Sequence, residues 1–233
     1  MKTIGVLGGM SWESTAEWYR LANERVRSRR GGYHSARLLI DSVDFAEIEA
    51  LQASGDWEAA GRLLARHATG LERAGAGVLV LCTNTMHIVA ESIEAAVSIP
   101  FIHIADATAE TVIAAGVRTV GLLGTAFTME QAFYRDRLAA HGLEVLVPEA
   151  AERQIVHQVI YEELVHGVVS DSSRDAYRRI IDALADRGAE GVILGCTEIE
   201  LLISSADSAV PVFPTTAIHV DAALRAAEDG QEG

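Results

Sequence analysis

The chain has 233 residues, 49% of them hydrophobic and 22% charged, with a formal net charge of −14. That balance supplies a substantial core and excludes a disordered polymer. It also argues against nucleic acid as a partner, because that affinity rests on a basic surface. The one dense basic cluster, Arg25, Arg27, Arg29 and Arg30, falls late in a predicted helix, where cations suit the dipole. No apolar stretch approaches the ~20 residues of a membrane helix, so no membrane partner is expected. The opening apolar run meets glycines too soon for a secretory signal, and none is expected. Two cysteines far apart in sequence read as reduced thiols in a cytoplasmic protein.

In chain order, a strand is predicted over 3–8, ending in the glycine turn Gly8-Gly9. A helix over 14–29 follows, with Ser14-x-x-Glu17 as a capping box. Then come a strand over 36–43, a helix over 57–74 with Asp56 as N-cap, and a strand over 77–82 ending in Cys82. A helix over 86–97, a strand over 100–104 and a helix over 107–115 complete the first half. The second half reads strand 118–124, helix 129–141, strand 143–147, helix 152–166, and helix 171–187 with Asp171 as N-cap. Strands 191–195 and 211–213 and helix 217–227 end it. Several strands are nearly continuous apolar runs, as expected for parallel strands buried on both faces.

The second half repeats the first. Ile4-Gly5-Val6-Leu7-Gly8-Gly9 matches Val120-Gly121-Leu122-Leu123-Gly124-Thr125. Ala16, Trp18, Tyr19 and Arg20 match Ala132, Phe133, Tyr134 and Arg135. The run from Gly77 to Thr83 matches that from Gly191 to Thr197, and Ile99-Pro100-Phe101-Ile102 echoes Val210-Pro211-Val212-Phe213. The order is conserved between the halves, and so is the spacing: Gly5 to Cys82 is 82 − 5 = 77 positions, and Gly121 to Cys196 is 196 − 121 = 75. A period of this size means a duplicated domain. The expected fold is therefore α/β, with two similar domains related by a pseudo-twofold duplication, each a parallel sheet flanked by helices. The first domain is expected over 1–115, rejoined by about 215–233, and the second over 116–214. The active site is expected in the cleft between them.

Each cysteine ends a buried strand just before a helix, at the sheet edge where ligands bind in open α/β folds. The residues that follow, Thr83-Asn84-Thr85 and Thr197-Glu198, are short and polar. Backbone N–H groups at such a helix start hold carboxylates and favour thiolate. A lone cysteine there is ordinarily packing. Two cysteines at matching positions of a duplicated fold instead suit a reaction that removes a proton from one face of a carbon and returns it to the other. A disulfide is the competing explanation, and the absence of C-x-x-C and the reduced compartment count against it.

At these residues the sequence resembles the aspartate/glutamate racemase family, in particular its aspartate racemase and broad-specificity amino-acid racemase branch. The matching pieces are Gly8-Gly9-Met10-Ser11-Trp12-Glu13-Ser14-Thr15, Ser42-Val43-Asp44-Phe45, and Cys82-Thr83-Asn84-Thr85-Met86-His87. They continue with Gly121-Leu122-Leu123-Gly124-Thr125 and Thr128, Ile160-Tyr161-Glu162-Glu163-Leu164, and Gly195-Cys196-Thr197-Glu198. The resemblance implies racemisation of an amino acid without pyridoxal phosphate or metal. One cysteine, as thiolate, would take the α-proton while the other, as thiol, delivers one to the opposite face. Thr83, Asn84, Thr85, Thr125 and Thr197 would hold the α-carboxylate and stabilise developing charge. Thr128 and the Met10 backbone would line the site, Glu198 would receive the α-ammonium or orient its neighbours, and Gln52 is a further wall residue. The resemblance also implies a homodimer.

Two departures bear on substrate. Aspartate-specific relatives carry a lysine shortly after the Ile-Tyr-Glu segment, where this chain has Leu164-Val165-His166-Gly167, and their further arginine has no match in Asp44-Phe45-Ala46-Glu47-Ile48. Relatives also often place an aspartate before the late Thr-Thr pair, where this chain has Pro214 before Thr215-Thr216. Aspartate, glutamate or a broader range of amino acids therefore remain as substrates. A decarboxylase or cis–trans isomerase of the same superfamily, or a non-catalytic amino-acid-binding protein, are the alternatives. The histidines His87, His103, His157, His166 and His219 do not form a metal-ligand pattern in sequence.

Overall fold

The computed structural model describes residues 1–229. The chain divides into two compact units, Met1–Ile104 with His219–Gly233, and Ala105–Ile218. Of the expected C-terminal return, residues 230–233 lie outside the described residues.

The first unit runs β1 (Ile4–Gly8), α1 (Trp12–Arg30), β2 (Leu38–Ser42), α2 (Phe45–Ser54), α3 (Trp57–Arg73) and β3 (Val78–Leu81). A 3-10 turn (Thr85–Val89), α4 (Ala90–Glu94) and β4 (Phe101–Ile102) follow, and α5 (Ile104–Ala114) leads onward. The sheet order is β2-β1-β3-β4, with every pairing parallel. Side chains alternate across a strand, so the sheet feeds two cores. Leu7, Leu79 and Leu81 pack on one face with Ile48 of α2 and Leu64, Ala68 and Leu71 of α3. Ile4, Val6, Val78, Val80 and Cys82 pack on the other with Trp18, Ala22 and Val26 of α1 and with Val220, Ala223, Leu224 and Ala227. Those last four residues belong to α11 (Thr215–Glu228), which brings the chain back into this unit.

The second unit runs β5 (Thr119–Gly124), α6 (Ala126–Glu130), α7 (Ala132–Ala140), β6 (Glu144–Leu146) and α8 (Ala150–Glu162). It continues with a 3-10 turn (Leu164–His166), α9 (Asp171–Asp186), β7 (Gly191–Gly195), α10 (Ile199–Leu202) and β8 (Val212–Pro214). Its order, β6-β5-β7-β8, again all parallel, repeats that of the first sheet element for element. Leu123, Val192 and Leu194 pack against Tyr177, Ile180, Ile181 and Leu184 of α9 and Val156 and Ile160 of α8. The buried Tyr177 hydroxyl donates to the Val156 carbonyl at 3.0 Å, as a buried phenol must find a partner. Pro214 sits on β8, an edge strand, where a missing N–H is tolerated.

Several local expectations need correction. The N-cap of α1 is Ser11, not Ser14: the Ser11 hydroxyl accepts from the Ser14 N–H at 3.3 Å, and Ser14 is already in the first turn. Likewise Ser170, not Asp171, caps α9, accepting from the Ser173 N–H at 3.2 Å. In each case the cap is the residue whose backbone is still extended. Asp56 does cap α3, accepting from the Ala59 N–H at 2.9 Å. The helix expected over 129–141 is interrupted at Gln131, whose backbone is extended. The one expected over 86–97 is a 3-10 turn followed by a single short helix. The helix α2 lies where the sequence predicts no helix.

Candidate active site

The strand β3 delivers Cys82 at its carboxyl end. The Cys82 N–H donates to the Leu7 carbonyl at 2.8 Å, continuing the β1–β3 ladder one residue past the strand. This fixes the direction of the side chain, which packs with Val80 and Trp18. Cys82 is buried, and that burial pushes its thiol well above the ordinary cysteine range. The residues after it, Asn84 and Thr85, are also buried. Gln52, half-buried on α2, donates to the Met86 sulfur at 2.9 Å, so the unanticipated helix carries a predicted residue to the cysteine loop. The Met10 side chain packs with Leu7, Val43 and Ile48. At the preceding turn the Gly9 N–H donates to the Thr15 hydroxyl at 2.9 Å.

His87 lies in the 3-10 turn after the cysteine. Its Nδ1 is 2.7 Å from the Thr83 carbonyl, and its Nε2 accepts from the Ile104 N–H at 3.2 Å. A carbonyl only accepts, so the proton is on Nδ1 and the imidazole is neutral. The ring lies 4.4 Å from that of His103, edge-on.

In the second unit β7 delivers Cys196 in the matching place. Cys196 is partly exposed, and its Sγ donates to the Glu198 carboxylate at 2.9 Å. Burial and then the charge of Glu198 raise the Cys196 thiol well above its ordinary value. Both causes favour the protonated form. Thr197 is held through its hydroxyl by that of Thr216 at 3.2 Å, and the Thr216 N–H donates to Glu200 at 3.0 Å. Thr215 donates to the Leu194 carbonyl at 2.8 Å. At the end of β5, Thr125 caps α6, and its hydroxyl lies 3.3 Å from that of Thr128. The Ala126 N–H donates to Nδ1 of His157 at 3.2 Å.

Each unit therefore gathers its own predicted residues: Cys82, Thr83, Asn84 and Thr85 with Gln52 in the first, and Cys196, Thr197 and Glu198 and the Thr125–Thr128 pair in the second. Sequence reasoning missed Glu200 and the anchoring parts of Thr216 and His157. Nothing in the local pattern announces them, because their partners lie 16 to 31 positions away. His166 is exposed at the end of its 3-10 turn. Among the described residues no three His, Cys, Asp or Glu side chains group to hold a metal ion, and no helix is long and apolar enough to cross a membrane.

One histidine gives a testable pH dependence. His219 is fully buried, and Nε2 donates to the Ile102 carbonyl at 2.7 Å. Its Nδ1 has no partner, so a second proton would be a buried, unpaired charge. Burial lowers its pKa from 6.5 to about 4. In the unfolded chain it takes up a proton near 6.5, so stability falls as pH drops from there towards 4 and levels off below. At about 1.4 kcal/mol per decade the loss is on the order of 3 kcal/mol. Urea midpoints between pH 7.5 and 4.5 are expected to fall more steeply for the wild type than for His219→Gln; parallel curves would refute the assignment.

A family model described as Asp/Glu/hydantoin racemase matches residues 7–223. A Yersinia pestis protein assigned as an Asp/Glu racemase has a crystal structure that superposes with a TM-score of 0.94 at 54% identity, over 98% of this chain and 100% of that one. An aspartate racemase homologue from Pyrococcus horikoshii superposes with a TM-score of 0.89 at 37% identity, over 98% and 100%. The broad-specificity amino-acid racemase RacX of Bacillus subtilis is 24% identical over 157 residues, a match spanning 64% of this chain and 64% of that protein. With a family model covering nearly its whole length and the same order of strands in both units, the chain belongs to the Asp/Glu/hydantoin racemase family.

Proposed function

We propose that the protein is an amino-acid racemase that works without pyridoxal phosphate or metal, with Cys82 and Cys196 as its two proton-transfer groups. The observation that carries this reading is the equivalence of the two thiols: each directly follows the third strand in sequence of its own four-stranded sheet, next to the strand that opens the unit. Inversion at an α-carbon needs one group to take the proton and another to give one to the opposite face, and a duplicated fold supplies two such groups. In one direction the Cys82 thiolate takes the α-proton and the Cys196 thiol donates its own; in the other the parts exchange. Both thiols are held protonated by their surroundings. The base must therefore be generated when substrate binds, and the substrate ammonium supplies the positive charge that favours thiolate. For Cys196 the departing proton has a partner in place, since its S–H already points to Glu198. Thr83, Asn84, Thr85, Thr125 and Thr197 hold the α-carboxylate, and Thr128, Gln52 and the Met10 backbone line the site. The substrate is an amino acid drawn from a range wider than aspartate and glutamate, because no cation matches the side-chain carboxylate partner. The working form is a homodimer in the cytoplasm.

The test incubates purified protein, with no pyridoxal phosphate added, with single enantiomers of acidic, polar, apolar and basic amino acids in deuterium oxide. Chirality and α-deuterium are followed together. Inversion accompanied by deuterium gain is expected. Neither inversion nor exchange with any of the panel would overturn the racemase reading.

A further inference from the structure

The two cysteine loops share a device that the pattern of predicted site residues does not include. In the first unit, His87 reaches from the 3-10 turn after Cys82 and accepts from the N–H of Ile104, the first residue of α5. In the second, Glu200 reaches from α10, after Cys196, and accepts from the N–H of Thr216, the second residue of α11. The first helix begins one residue after β4 and the second directly after β8, the fourth strands of their units. The first N–H groups of a helix have no partner within it, so an acceptor supplied from outside is a strong anchor. A second bond in each unit reaches back to the cysteine loop, from His87 itself in the first and from the anchored Thr216 in the second. His87 donates through Nδ1 to the Thr83 carbonyl at 2.7 Å, and Thr216 donates its hydroxyl to that of Thr197 at 3.2 Å. The residue adjoining each cysteine is thereby tied to a rigid helix end. The chemistry of the two ties differs: a neutral imidazole with one donor and one acceptor nitrogen in the first, a carboxylate and a hydroxyl in the second.

We propose that His87 is a positioning residue for Cys82, bridging the Thr83 carbonyl to the start of α5, and that Glu200 with Thr216 does the same for Cys196. This rests on the racemase reading for its effect on turnover, but not for its effect on the thiols. Proton transfer tolerates little misplacement of the transferring atom, and an error of about 1 Å costs on the order of 100-fold. The imidazole of His87 is buried, so losing it takes one hydrogen-bond partner each from the Thr83 carbonyl and the Ile104 N–H.

The experiment compares His87→Phe, which keeps an aromatic ring but loses both bonds, with His87→Gln, which keeps one donor and one acceptor. Two readouts are taken: kcat and KM with the substrate found in the panel, and the separate alkylation rates of Cys82 and Cys196 by iodoacetamide, resolved by mass spectrometry. For His87→Phe, kcat is expected to fall roughly 10- to 100-fold with KM within about threefold. Its Cys82 alkylation is expected to quicken several-fold while Cys196 keeps its rate. His87→Gln recovers a large part of both. Glu200→Leu gives the mirror pattern, with Cys196 quickened and Cys82 unchanged. Equal acceleration of both thiols in His87→Phe, or Cys82 alkylation at the wild-type rate, overturns the proposal. A wild-type protein that racemises nothing sinks the racemase reading, while the alkylation rates still decide the anchoring.

Discussion

Replacement of either cysteine by alanine is expected to lower racemisation by about 100- to 10,000-fold or more, the usual contribution of a positioned acid or base. The sharper expectation concerns what survives. If the two thiols serve opposite faces of the α-carbon, Cys82→Ala still holds a base for one enantiomer and Cys196→Ala a base for the other. Each variant should then exchange the α-proton of a single enantiomer with deuterium oxide without inverting it, and the exchangeable enantiomer should differ between the two. A protein in which one cysteine does all the chemistry gives a different result, with one variant inert towards both enantiomers and the other nearly unimpaired. The comparison is made on folded protein, because Cys82 is buried among Val80, Trp18 and Val220, and its alanine variant leaves a small void there. Cys82→Ser is the companion, since it keeps the volume but replaces the thiol with a far weaker acid. Retention of more than a tenth of wild-type inversion in either alanine variant would sink the two-base assignment.

The second large effect concerns stability. Gly9→Ala is expected to destabilise the first unit by about 2–5 kcal/mol. Gly9 has φ +91°, where an L-residue pays roughly 1–2 kcal/mol. A Cβ there would also lie 2.3 Å from the Val43 carbonyl oxygen and 2.6 Å from the Val43 nitrogen. Those are backbone atoms that cannot rotate away, and forcing them apart adds about 1–3 kcal/mol. Gly55→Ala separates the two causes. Gly55 has φ +72° at the end of α2, but an added Cβ meets nothing within 4 Å. Only the conformational cost applies, so a loss of about 1 kcal/mol is expected. At about 2–4 °C per kcal/mol for a chain of this size, the Gly9 variant should melt well below the Gly55 variant. Equal thermal midpoints by circular dichroism would show that the Val43 contact is not what requires glycine.

The two glycines also show what kinds of information the chain holds at different ranges. The glycine turn after β1 is legible because the apolar run stops at Gly8-Gly9, and the clash with Val43 supplies the reason only once β2 and the turn after it are in place. The helix α2 escapes sequence reading because it is short: Phe45, Ile48 and Leu51 pack on the core, and of these Ile48 alone is fully buried. Three apolar positions within ten residues are too few for a 3.6-residue stripe to stand out. The sequence places the cap of α1 three residues late because Ser11 and Ser14 are both good capping residues, and the choice depends on where the backbone leaves the extended region after Gly9.

The sequence alone determined the duplication, the two parallel sheets and the place of both cysteines at strand ends. These rest on hydrophobic runs and repeat spacing, which are local or periodic properties that any reading of the chain recovers. Only the tertiary structure decided which polar groups hold the cysteine loops. His87 meets Ile104 across 17 positions, and Glu200 meets Thr216 across 16. The physical reason is that helix-end N–H groups take whatever acceptor the packing brings within about 3 Å. Packing is set by the whole sheet, so a histidine or glutamate in an ordinary-looking short helix carries no mark in the sequence of the bond it will make.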